Sequence, residues 1–321
     1  NLTRLALFAL FATLALGCLP EGWHRWSLAL PALSPLVNLG GAAASRSAGL
    51  IALAALPLLI LPLFKGRYFC WRLCPMGFAA ESVSRLNSRN AGLVRRVPHV
   101  GKALALLIAA SAAAGYPILI WTDPLCVFNG FFAAWRLPLT WASAATGAGF
   151  ALILLASLIV PNVWCHRLCP LGGLEEMLMQ LALRLRAARA PGRAAPADNV
   201  RVGRRVFIGF AIGGASGLAC GLSAGAARPR PPVIRPPGAA RALNALCARC
   251  GNCMKACPYG LIIPDLGASG IGGLLTPALK FRSQNPRQEQ FCFQECNACT
   301  QVCPTGAIRP LTVAAKKQIA I

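Results

Sequence analysis

Twelve of the fifteen cysteines in this 321-residue chain fall into spaced groups, and they are where its chemistry is written. The tightest groups are Cys247-x2-Cys250-x2-Cys253-x3-Cys257-Pro258 and Cys292-x3-Cys296-x2-Cys299-x3-Cys303-Pro304. Thiolates two or three residues apart let one loop wrap three corners of an iron–sulfur cubane, while the fourth cysteine reaches over to the other cluster. That spacing assigns Cys247, Cys250, Cys253 and Cys303 to one [4Fe-4S] centre. Cys257, Cys292, Cys296 and Cys299 hold the second. Structural zinc draws on two separated pairs, which so dense a run fits poorly. Gly260-Leu261-Ile262 and Gly306-Ala307-Ile308 follow the two motifs and suggest pseudo-symmetric halves that pack apolar residues over paired clusters.

A second constellation is duplicated. Cys70-Trp71-Arg72-Leu73-Cys74-Pro75-Met76-Gly77 returns 95 residues later as Cys165-His166-Arg167-Leu168-Cys169-Pro170-Leu171-Gly172. Cysteines at i and i+4 share a helical face, and proline is tolerated at the start of the next helix. Two pairs brought together by pseudo-symmetry make Cys70, Cys74, Cys165 and Cys169 a candidate metal or iron–sulfur site. Reduced structural thiols are the alternative.

The elements that position these residues are read from charge and hydropathy. The chain carries 32 Lys+Arg against 9 Asp+Glu, a net charge of +23, yet only 13% of residues are charged and 56% are apolar. Basic residues alone would suggest nucleic acid. Here they lie between uncharged stretches: Leu5 to Pro20, Ser47 to Phe64, Ala103 to Thr122, Leu137 to Cys165 and Val206 to Ala227. A spanning helix needs roughly 17–25 apolar residues, so these stretches predict five spans, the first marginal. Residues 65–102 and 162–205 carry sixteen Lys/Arg, whereas 20–46 and 122–143 carry three, which places the basic loops on the cytoplasmic side. All seven Trp lie near span ends or in the short outer connections, as an interfacial belt requires. Ser34-Pro35-Leu36 and Asp123-Pro124-Leu125 open equivalent connections of a two-fold repeat. The expected fold is therefore an α-helical membrane bundle: two pseudo-repeated two-span units and a fifth span, followed by a small α+β ferredoxin-like domain with two clusters.

The expected domain order is a four-span membrane domain (1–190), a basic linker (191–205), the fifth span (206–227), a Pro-rich linker (228–245), the two-cluster domain (246–310) and a tail (311–321). Arg204-Arg205 before an apolar run is similar to a twin-arginine export signal, suited to a domain that must cross a membrane with its clusters in place. Gly209, Gly213, Gly217 and Gly221 form a smooth ridge for close helix packing, which favours a retained span, and Ala224-Gly225-Ala226 is similar to a cleavage site. The chain starts at Asn1 rather than Met, so a processed or incomplete N-terminus is expected.

With its duplicated C-x3-C-P signatures, the first part resembles the NapH/MauN group of membrane ferredoxin-type proteins and the membrane part of NosR. From Arg204-Arg205 onward, with Arg235-Pro236-Pro237-Gly238-Ala239 leading into the cysteine run, the chain resembles the NapG/MauM group. The resemblance implies electron transfer from membrane quinol to a periplasmic acceptor such as a cytochrome or reductase, in a bacterial inner-membrane, multi-pass protein with a periplasmic ferredoxin domain. The expected contacts are thus the lipid bilayer, the quinone pool and a periplasmic redox protein, and no nucleic acid; as an enzyme the chain is at most a quinol dehydrogenase component. NapG/MauM-like chains generally carry further cysteine motifs, so two clusters are a minimum. A redox-sensing or maturation protein for a periplasmic metalloenzyme is the competing function.

The remaining candidates are weaker. Cys18, Cys126 and Cys220 read as packing or structural residues. Of His24, His99 and His166, only His166 sits inside a cysteine motif and can tune a site. Asp123 reads either as a helix cap or as a proton acceptor for quinol. Twelve basic residues beyond Ala227, against Asp265, Glu289 and Glu295, predict a basic surface suited to an acidic partner.

Overall fold

A computed structural model describes residues 2–16, 30–46, 50–135, 141–189, 199–226, 233–281 and 291–318. Among the described residues, eight helices build the body: α1 Leu2–Leu16, α2 Pro35–Ser45, α3 Leu56–Lys65, α4 Pro75–Ser84, α5 Val100–Ala113, α6 Pro124–Ala134, α7 Trp141–Ile159 and α8 Pro170–Arg189. Four of them open on proline, whose fixed φ and missing N–H suit the first helical turn. The preceding residue caps the exposed N–H groups in three of the four. Asp123 accepts from Leu125 N (3.0 Å) and Cys126 N (3.4 Å), while the Cys74 and Cys169 sulfurs accept from Gly77 N and Gly172 N, each at 3.4 Å.

The duplication in the sequence is a duplication in space. α1 packs on α4 and α6, as α5 packs on α8 and α2; α3 meets α8, as α7 meets α4. The series α1–α4 is thus related to α5–α8 by an approximate two-fold. On the axis the equivalent residues Ser34 and Asp123 meet, the serine hydroxyl donating to the carboxylate.

The five-span bundle is not what forms. Among the described residues, α7 (19 residues) is the one helix long and apolar enough to cross a membrane; the other apolar helices are Leu2–Leu16, Leu53–Lys65, Val100–Ala113, Pro124–Ala134 and Ile208–Cys220. The reason lies in where the uncharged stretches break. Residues 50–55 wind as a 3-10 helix, α3 then runs only ten residues, and Gly115 (φ 90°) with Pro117 ends α5 before Thr122. At about 1.5 Å per residue, ten to fourteen residues reach only ~15–21 Å, short of a ~30 Å hydrocarbon core. Pro161 and Asn162 (φ 56°) trim the fourth stretch to α7.

Helix α9, Asn199–Ala226, packs on α5. The glycine ridge acts as its spacing predicts: a Cβ on Gly213 would lie 2.8 Å from Leu107 Cα, and one on Gly217 2.8 Å from Ser111 Cα. The side chains of Arg204, Arg205 and Ala224–Ala226 lie outside the described residues, as do Cys18, His24 and the segments 191–198, 227–232 and 319–321.

The C-terminal module consists of short helices α10 Leu243–Leu246, α11 Asn252–Ala256 and α12 Val313–Lys317 with an antiparallel pair. In that pair β1 Ile262–Pro264 runs against β2 Pro277–Leu279, Ile263 opposite Ala278. Arg235, within the expected spacer, is sewn into the module: it donates to Thr276 Oγ1 (3.0 Å), Pro277 O (2.8 Å), Asn244 Oδ1 (3.1 Å) and Ser269 Oγ (2.8 Å), and pairs with Asp265 at 3.5 Å. Asp265 in turn closes the Gly-rich insertion by accepting from the N–H groups of Gly267, Ala268 and Ser269.

Candidate iron–sulfur centres

The eight module cysteines separate into two neighbouring sets, each drawing one residue from the other motif. Cys247, Cys250, Cys253 and Cys303 line one cavity. Arg249 and Gly251, both at positive φ, curl the first run around it, and the N–H groups of Arg249 and Ile308 point at the Cys247 and Cys303 sulfurs, each at 3.4 Å. The Cys299 thiol lies in the field of Cys292, Cys257 and Cys296, which defines the second set; Cys299 also acts on Cys253, so the sets adjoin. The apolar residues after each motif follow the same exchange. Leu261 and Ile262 pack with Cys299, whereas Ala307 and Ile308 pack against Cys247 and Cys303.

The donor chemistry fits cationic clusters. Burial and mutual repulsion push the thiols up, Cys247 to about 11 and Cys250 and Cys299 to about 12, with burial the larger cause throughout. Four thiolates in one cavity need positive charge between them, which iron supplies. Among the described residues no three His, Cys, Asp or Glu are close enough to hold a single metal ion. A mononuclear zinc site would gather its thiolates at about 2.3 Å from one centre; a cubane holds them further apart.

The C-x3-C-P pairs also converge. Each passes through one π-helical turn, Phe69–Leu73 and Trp164–Leu168, before its proline-led helix. Cys70 feels Cys169, and Cys74 feels Cys165, so the pairs interleave across the two-fold. Burial pushes Cys165 up to about 11 and drives Cys70 and Cys169 well above the usual thiol range. Glu175 is fully buried beside Cys70; burial lifts its carboxyl to about 7, opposed by Cys70 and Arg67. Four thiols and a carboxyl, with Arg67 as nearby cation, again form a donor set that positive charge would complete. Gly77 is required for it, since a Cβ there would sit 2.7 Å from Cys70 O; one on Gly172 would meet an Arg67 guanidinium nitrogen at 2.7 Å, the far end of a flexible side chain. His99 and His166 line an open pocket of about 300 Å³ beside this set, with Arg67, Arg167, Glu176 and Met179.

One apolar core joins the sets, running from Cys74 and Cys169 through Val37, Leu125 and Cys126 to Ala248 and Cys250. Asp123 lies within electrostatic reach of Cys169, and Cys126, read from the sequence as structural, lies within reach of Cys247, Cys250 and Cys303. Asp123 is fully buried as an N-cap, which lifts its carboxyl to about 6.

Sequence reasoning missed the residues that seat the module. Asn129 of α6, fully buried, donates to Cys250 O and to Asn252 Oδ1 (2.7 Å) and accepts from Lys255 Nζ (2.6 Å), which also reaches Ala15 O (2.9 Å). Gly41 of α2 and Gly130 of α6 make room on either side: a Cβ on Gly41 would lie 2.7 Å from Thr305 Cα, and one on Gly130 3.3 Å from Arg249 O. A signal for the glycines existed in the sequence. Each stands six residues after the proline that opens its repeat, Pro35 and Pro124.

Residues 246–308 match a family model described as a 4Fe-4S dicluster domain. The chain carries 4Fe-4S ferredoxin domains. Residues 47–93 and 143–188 each match a 4Fe-4S binding domain, so both copies of the repeat fall within iron–sulfur sequence. The ferredoxin-type proteins NapG of Escherichia coli K12 and of Shigella flexneri are each 36% identical over 113 residues, covering 33% of this chain and 46% of theirs. The chain spans about half the length of the curated relatives it matches. Over a third of its length, then, it is a NapG-like ferredoxin homologue. No solved structure matches it.

Proposed function

We propose that this ferredoxin-type iron–sulfur protein is a membrane-anchored electron relay that accepts electrons from quinol and delivers them to a periplasmic redox partner. The observation that carries the reading is the single packed core joining the C-x3-C-P thiols to the first module set, with the second set adjoining. Cys247, Cys250, Cys253 and Cys303 would hold one [4Fe-4S] cluster and Cys257, Cys292, Cys296 and Cys299 another, with Cys70, Cys74, Cys165 and Cys169 holding a third centre. Each cluster, when bound, supplies one-electron redox chemistry.

The chain's own residues fix where that chemistry sits. Asn129 and Lys255 lock the first cysteine loop onto α6, and the proline-led caps at Cys74 and Cys169 aim the remaining thiols inward. Quinol gives up two electrons and two protons; the pocket at His99 and His166 lies beside the C-x3-C-P set and has the size of a small-molecule site. At the other end, Tyr259, Phe291 and Phe293 form an aromatic edge near the second set, with ring centroids 4.8 and 5.5 Å apart. Aromatic side chains are enriched where proteins dock. Anchoring is supported by α7, whose Trp141, Leu152, Leu155 and Ile159 side chains are exposed. The NapH-like reading of the first part rests on its two C-x3-C-P pairs.

Metal analysis with electron paramagnetic resonance of the full chain tests the proposal. About twelve iron and twelve sulfide per chain are expected, falling to about eight in Cys74→Ser or Cys169→Ser, where serine keeps the helix cap and the fold. Zinc without sulfide refutes the relay. In membranes a quinol analogue should reduce the centres; intact centres that quinol never reduces favour the sensing function. External protease should reach the module in intact spheroplasts if it is periplasmic.

A further inference from the structure

We infer that Lys316 is a positioning residue that raises the reduction potential of the Cys257/Cys292/Cys296/Cys299 centre; this rests on the iron–sulfur reading above. Lys316 belongs to α12, four residues beyond its capping Thr312, whose hydroxyl accepts from Ala315 N at 3.2 Å. Its side chain is fully buried, among the largest in the molecule to be so. Lysine is almost never fully buried unless its ammonium is paired. Here the ammonium donates to Phe293 O and Cys296 O, both within the second cysteine run, and to Cys292 Sγ at 3.2 Å. It also acts on Cys299, where its charge favours the thiolate.

The three acceptors use all three ammonium protons, so the charge is held in place rather than swinging through rotamers. Hydrogen bonds to cluster sulfurs and net local charge are the levers by which a protein sets an iron–sulfur potential. Reduction adds one negative charge to the centre, and a fixed cation against a ligand sulfur stabilises the reduced form more than the oxidised one. The other buried lysine of the module, Lys255, is aimed differently: its ammonium bonds Ala15 O and Asn129 Oδ1 in the helical body. Lys317, one residue on, is exposed and pairs with exposed Glu295 at 3.3 Å.

The test is a redox titration of the full chain followed by electron paramagnetic resonance, with Cys292→Ser assigning the signal of the second centre. Lys316→Met is expected to lower the reduction equilibrium of that centre by about tenfold, ~59 mV for a one-electron couple, and to leave the first centre unchanged. Lys316→Gln, which keeps donors for the two carbonyls but no charge, should show the same shift; Lys316→Arg should restore most of the potential, and Lys317→Met should move nothing. Unchanged potentials in Lys316→Met and Lys316→Gln with full iron overturn the proposal. So does loss of the second centre in both variants, which makes Lys316 a loop brace instead. A wild-type chain without two centres is a distinct outcome that removes the iron–sulfur reading itself.

Discussion

Replacing Asn129 with leucine, which has the same branching and number of heavy atoms, cuts the polar tie between the helical body and the first cysteine loop. Asn129 is fully buried, and its side chain serves three partners: Cys250 O, Asn252 Oδ1 and Lys255 Nζ. A neutral hydrogen bond contributes roughly 1 kcal/mol and one to a charged group about 1.5–3 kcal/mol, while each buried group left without its partner adds a penalty of similar size. Leucine returns part of this through its apolar burial. The net loss in holding the loop against α6 is about 3 kcal/mol, or about a hundredfold in the docking equilibrium. Hydrogen exchange reads this locally, because protection reports the free energy of opening each segment. Amides of residues 248–256 should exchange about a hundredfold faster in Asn129→Leu, with those of α7 unchanged. Asn129→Asp, which keeps the acceptor for Lys255, should fall between the two. If exchange at 248–256 is unaltered in a folded Asn129→Leu chain, the seat is not held by this residue and the reasoning fails.

Two further predictions concern the helical body. Gly213→Ala places a Cβ 2.8 Å from Leu107 Cα and should lower stability by about 1–3 kcal/mol in chemical denaturation, whereas Gly214→Ala, with nothing within 4 Å, should be neutral or gain up to about 1 kcal/mol of helix propensity. Equal effects of the two alanines would show that α9 does not pack closely on α5. Asp123 gives a pH dependence. Its folded carboxyl titrates at about 6, above the ordinary 3.8, so between those values the folded chain binds more protons than the unfolded one and stability falls as pH rises, by about 3 kcal/mol in all. Thermal melts of Asp123→Asn, which keeps the cap acceptor, should lose that slope; a wild-type profile flat from pH 4 to 6 would contradict it.

The cysteine sets could be read from the sequence because cluster ligation is a local problem solved by short spacings. The crosswise exchange of Cys257 and Cys303 is read from the length of each run; Cys303 lines the cavity formed by the first run, and Cys257 lies in the field of Cys299. The two-fold repeat was equally visible, since the same C-x-R-L-C-P-x-G pattern returns 95 residues later. Span number was not readable in the same way. A hydropathy window counts apolar residues but does not register that Gly115 and Pro117 end one helix, or that Pro161 and Asn162 end another.

Composition and spacing by themselves singled out twelve cysteines in two motifs and one duplicated pair, and the packing ridge of Gly213 and Gly217. Tertiary structure alone decided that Ser34 meets Asp123, that Asn129 and Lys255 seat the first loop, that Arg235 is part of the module, and that Lys316 closes on Cys292. These contacts join residues far apart in sequence, 89 positions for Ser34 and Asp123, 126 for Asn129 and Lys255 and 24 for Cys292 and Lys316, or unlike partners whose types announce nothing. Spacing encodes what one loop can wrap. Only the packed chain brings a buried charge to the sulfur it acts on, because burial makes that pairing obligatory and the sequence does not say what will be buried.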